Sequence, residues 1–135
     1  MNLIIPAEHI RIENFEKEES IAKFRDTLKK YAEEEAQIDV FSVMGNSYSD
    51  IFFEEMVPYL QKLKSIKKVV LNDCFTNRKD DLARSLKLFS DAVVNKGVVA
   101  FDISNNAIGE NGCEAVYEFI KNCNTLEYFW ANNCG

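Results

Sequence analysis

Histidine is almost missing. His9 is the only one in 135 residues, which excludes paired-His metal motifs and leaves His-assisted nucleophilic catalysis to one residue near the N-terminus. Positive charge is in deficit too: sixteen Lys and Arg stand against twenty-two Asp and Glu, a net charge of −6. A binder of nucleic acid or of an anionic membrane gathers cations on one face, so neither is expected, and a basic protein partner suits the sign better. Long apolar runs are absent, Val98 to Phe101 being far short of the roughly 20 residues that cross a bilayer. Residues 1–12 carry no basic stretch followed by an apolar one and a small-residue cleavage site, so no secretion leader is expected. The four cysteines, at 74, 113, 123 and 134, show no C-x-x-C spacing and read as reduced, mostly buried thiols of a cytosolic or nuclear protein. No nucleophile–base pair, metal-ligand cluster or phosphate-cradling glycine loop is visible. No cofactor or metal is therefore expected, and the chain does not read as a self-contained enzyme.

What is present is ordinary in amount, 47% apolar and 28% charged, but not in arrangement. The length is that of one domain, and no linker or low-complexity tract divides it. One spacing of apolar residues recurs. Ile38, Phe41, Val43, Asn46 and Tyr48 form a first copy; Ile66, Val69, Leu71 and Cys74, with Thr76 as a weak last position, form a second. Val98, Phe101, Ile103, Asn106 and Ile108 form the cleanest, and Leu126, Phe129, Ala131 and Cys134 begin a fourth. These copies match the leucine-rich-repeat template L-x-x-L-x-L-x-x-N/C-x-L. In it a short strand alternates inward side chains, and the Asn or Cys then satisfies backbone groups left unpaired by the turn. Asn46, Asn106, Cys74 and Cys134 are accordingly assigned to structure.

Helix-length segments separate the strands. Leu82, Leu86, Phe89 and Val93 fall at helical spacing behind a cap at Asp80 or Asp81. Cys113, Val116, Ile120 and Cys123 do the same after Gly109 and Gly112, which mark the turn into that helix. A matching helix over 50–63 contains Pro58 and is either kinked there or starts late. Ahead of the repeats, Ile10-x-Ile12 reads as a short strand. The next segment reads as a helix with Ile21, Phe24, Leu28 and Tyr31 on one face and the acidic cluster Glu16 to Glu19 as its exposed first turn.

The expected architecture is thus α/β: a leucine-rich-repeat solenoid, a ribonuclease-inhibitor-like horseshoe segment with parallel strands on the concave face and helices on the convex face. It forms one domain, with residues 1–36 as an N-terminal cap and 37–135 as about three and a half repeats, the last incomplete. Such a stack exposes its last apolar layer at the C-terminal edge. A truncated chain, a partner or self-association through that edge are the three alternatives.

The period breaks once. Asn46 to Cys74 is 28 residues, Cys74 to Asn106 is 32, and Asn106 to Cys134 is 28. The surplus falls in the loop Phe75-Thr76-Asn77-Arg78-Lys79-Asp80-Asp81, which holds an aromatic anchor and two adjacent cations in an acidic chain. Insertions in a solenoid map to loops on one face, often the binding face.

The stretch Asn72-Asp73-Cys74-Phe75-Thr76-Asn77-Arg78 resembles the F-T-G-R loop of the Ran GTPase-activating proteins. Phe101-Asp102-Ile103-Ser104-Asn105-Asn106-Ala107-Ile108-Gly109 is similar to that family's L-S-D-N-A-F-G segment, and Leu126 to Gly135 to its L-E-x-L-x-L-x-N-N-G segment. The likeness spans the whole chain but only the N-terminal part of the family's longer crescent. It implies stimulation of GTP hydrolysis on GTP-bound Ran, in nucleocytoplasmic transport. It further implies a cytoplasmic location, with the nuclear envelope as a second expectation.

Hydrolysis needs a positioned water and stabilised phosphate charge. The family resemblance implies that the activator orders the GTPase's own glutamine rather than inserting an arginine. Carried over, the loop arginine is Arg78 and the glutamine-holding asparagine is Asn133, with Asn132 as the fallback. Asp73, Asn77, Lys79, Asp102, Asn105 and Asn132 complete the expected partner contacts. Asn77 stands where the family has Gly, and Asn tolerates left-handed geometry better than most residues. The alternative reading is an interaction module that binds a basic partner without affecting hydrolysis.

Overall fold

The structure, a computed structural model, describes residues 2–5, 18–43, 50–72, 74, 82–106 and 108–132. Among them, strand and helix alternate: β1 (Asn2–Ile5), α1 (Glu18–Glu33), β2 (Gln37–Val43), α2 (Asp50–Lys62), β3 (Ser65–Val70), α3 (Leu82–Val93), β4 (Ala100–Asp102), α4 (Gly109–Asn122) and β5 (Tyr128–Trp130). The five strands form one parallel sheet in chain order, β1-β2-β3-β4-β5. Neighbouring parallel strands need a long crossover, and each helix supplies one. The helices also pack in chain order, α1 on α2, α2 on α3 and α3 on α4. The fold is therefore α/β, as the alternating pattern predicts.

The register follows the sequence period. Phe41 pairs with Val69, Val69 with Phe101, and Phe101 with Phe129, so equivalent positions of successive copies lie side by side. Along each strand and just past its end, the inward residues are buried: Ile38, Phe41 and Val43; Ile66, Val69 and then Leu71; Phe101 and then Ile103. Tyr128 and Trp130, which alternate with the inward Phe129, are exposed on the other side of the sheet. Helix α3 delivers Leu82, Leu86, Phe89 and Val93, each no more than 2% exposed, as its spacing predicts.

Aromatic rings carry this core along the stack. Phe89 of α3 lies 5.5 Å from Phe41, 6.3 Å from Phe53 of α2 and 6.2 Å from Phe101, centroid to centroid. Phe101 in turn meets Phe119 of α4 at 4.7 Å and Phe129 of β5 at 6.1 Å. All five pairs are tilted or edge-on, away from the face-to-face sandwich that aromatic quadrupoles disfavour.

Three expectations change. Helix α2 begins at Asp50 and runs through Pro58, so it does not start late. Pro58 is exposed, and the bond it forfeits is the one its N–H would have made to the Glu54 carbonyl. The first strand is Asn2–Ile5, paired with β2, which sequence reasoning did not place; residues 10–12 lie outside the described residues. Helix α4 buries Gly112, Ala115 and Phe119, whereas Cys113 is exposed and Ile120 is 43% exposed. Of the expected face Cys113, Val116, Ile120 and Cys123, Val116 is half-buried against the core and Cys123 is buried, so the expectation fails at Cys113 and Ile120. A glycine and an alanine gave no apolar signal, yet they are what allows α4 to lie close against α3. A Cβ on Gly112 would sit 2.9 Å from the Ile108 Cβ.

Of the cap helix, Leu28 is buried and Tyr31 half-buried, while the side chains of Ile21 and Phe24 lie outside the described residues, as do the candidate caps Asp80 and Asp81. Cys74 and Cys123 are buried free thiols and Cys113 is an exposed one; Cys134 is not among the described residues.

Candidate partner-binding rim and open sheet face

At the carboxyl ends of β3, β4 and β5 the backbone keeps its ladder beyond the strands. Leu71 N–H donates to the Asp102 carbonyl at 2.8 Å, Ile103 N–H to the Trp130 carbonyl at 2.9 Å and Asn105 N–H to the Asn132 carbonyl at 2.9 Å. Asn132 N–H then donates to Ser104 Oγ at 3.0 Å. This end of a parallel sheet is where ligands of open α/β folds gather.

Asn106 ties the rim together. Its side chain is 1% exposed. Oδ1 accepts the Cys74 N–H at 2.9 Å, while Nδ2 donates to the carbonyls of Leu71 at 2.8 Å and Ile103 at 2.7 Å. A buried amide thus satisfies groups that the turning chain cannot pair by itself. The Cys74 thiol points its hydrogen at the Val43 carbonyl, 2.6 Å away, linking a third unit. Asn106 and Cys74 thus hold backbone groups in the interior, the structural role expected of them. Asn46 and Cys134 lie outside the described residues.

Asp102, Asn105 and Asn132 come together on this rim. Asp102 is half-buried; its Oδ1 accepts the Ser104 N–H at 2.9 Å and its Oδ2 accepts from Asn72 Nδ2 at 3.3 Å. The carboxylate is therefore fixed in place at the edge of the open sheet face. Asn105 is exposed in the left-handed conformation at φ 63°, one that Asn adopts more readily than most residues. Asn132 is exposed, with its backbone pinned on both sides. The other expected site residues, Asp73, Asn77, Arg78, Lys79 and Asn133, lie outside the described residues.

The open face of the sheet adds residues that sequence reasoning passed over. Tyr128 and Trp130, 56% and 37% exposed, stack with centroids 5.8 Å apart and planes within 7°. Lys68 Nζ lies over the Trp130 ring, 5.5 Å from its centroid, in a cation–π contact that spans from β3 to β5. Asp102 pairs in register with Trp130, and Ala100, the small residue between Lys68 and Tyr128, leaves room for this crossing. A signal existed: both aromatics occupy outward positions of the strand template, where nothing in the core requires them.

Among the described residues no group of three or more His, Cys, Asp and Glu is placed to hold a metal ion. No described helix is long and apolar enough to cross a membrane. No protein-family model matches the chain.

Proposed function

We propose that this chain is a leucine-rich-repeat solenoid segment that stimulates GTP hydrolysis by a small GTPase of the Ran type. The carrying observation is the F-T-x-R stretch, Phe75 to Arg78, inside the single lengthened interval of a regular repeat. Parallel pairing of Phe41, Val69, Phe101 and Phe129 in register supports the repeat reading. The fixed position of Cys74, at the root of that loop, supports a rigid base for it.

In this reading Arg78 anchors the GTPase surface and Asn133 orients the GTPase's own glutamine toward the attacking water. Asp102, Asn105 and Asn132, together on the rim, meet basic side chains of the partner. Catalysis proceeds by ordering and electrostatic stabilisation on the partner, with no covalent step on this chain. The setting that goes with this activity is the cytoplasm.

The test is single-turnover hydrolysis by GTP-loaded Ran, with this chain and with its Arg78→Ala and Asn133→Ala variants. The unmutated chain accelerates hydrolysis, and each variant loses roughly tenfold or more, the equivalent of one charge-assisted contact. No acceleration by the unmutated chain at high concentration removes the proposal for it.

A second reading rests on a different observation. Exposed, stacked Tyr128 and Trp130 on the open sheet face suit a protein-interaction module for a basic partner. Binding of Ran with unchanged hydrolysis favours that reading.

A further inference from the structure

We draw no further inference here: the strongest candidate, the groove between α3 and α4 where the exposed Cys113 thiol lies with Tyr117, Arg84 and Lys87, carries nothing, because both cations are already paired, with Glu54 and Asp91, and nothing in the structure shows what covers it.

Discussion

The Cys74 amide donates to Asn106 Oδ1 at 2.9 Å across 32 residues of sequence. The same side chain donates to the carbonyls of Leu71 and Ile103, so one buried amide serves groups on both sides of the β3–β4 boundary. In Asn106→Ala these backbone groups lose their partners in a site that water does not reach. A loss of about 3 kcal/mol in urea unfolding is expected, as for buried polar groups left unpaired. Amide exchange at Cys74 should quicken at the same time, because that N–H loses its bond to Asn106.

Phe89 is the hub of the ring stack, touching Phe41, Phe53 and Phe101 from α3 while fully buried. Phe89→Ala is expected to cost about 3–5 kcal/mol, transfer and cavity contributions together. Phe129→Ala, at the partly buried end of the same stack, should cost clearly less in the same urea titration.

Gly112→Ala puts helix propensity against packing. Alanine gains about 1 kcal/mol over glycine inside a helix. Here, however, the new methyl meets the Ile108 Cβ at 2.9 Å, a branch point that cannot swing away. Overpacking of this kind costs about 1–3 kcal/mol. The net expectation is a lower urea midpoint for Gly112→Ala, the reverse of what helix propensity alone predicts.

Two cations on the helical side should differ sharply. Lys96 Nζ donates to the carbonyls of Gln61 at 2.6 Å and Leu63 at 2.8 Å, at the end of α2 where backbone acceptors lack helical partners. Lys96→Met should lose about 1–2 kcal/mol. Arg84 pairs with Glu54 at 2.6 Å but is 65% exposed, and Arg84→Ala should change stability by less than about 1 kcal/mol. Chemical denaturation of both variants at 0.15 M salt, roughly one 8 Å screening length, compares them directly.

Much of the frame was legible in the chain. Strands at Phe41, Val69, Phe101 and Phe129 and the helix from Leu82 were predicted from apolar spacing, because side-chain periods of 2 and 3.6 leave direct marks in sequence. The post held by Asn106 was legible for the same reason: a polar residue at a fixed step after a buried strand needs backbone partners. The inward face of α4 was legible only at Val116 and Cys123, since Gly112 and Ala115 bury by being small, and small residues carry no apolar periodicity. Asp102, Asn105 and Asn132 were readable as candidates only through family likeness; one of the two hydrogen bonds that hold Asp102 comes from Asn72, thirty residues away.

The sequence by itself determined the alternation of helices and strands from α1 onward, the acidic character and the apolar spacing that lines up equivalent strand positions, because each is a local pattern along the chain. Tertiary structure alone decided that Lys68 crosses Ala100 to reach Trp130 and that Tyr128 stacks beside it. Such contacts join residues of non-neighbouring strands, and their geometry follows from sheet register and side-chain size, which no single segment encodes.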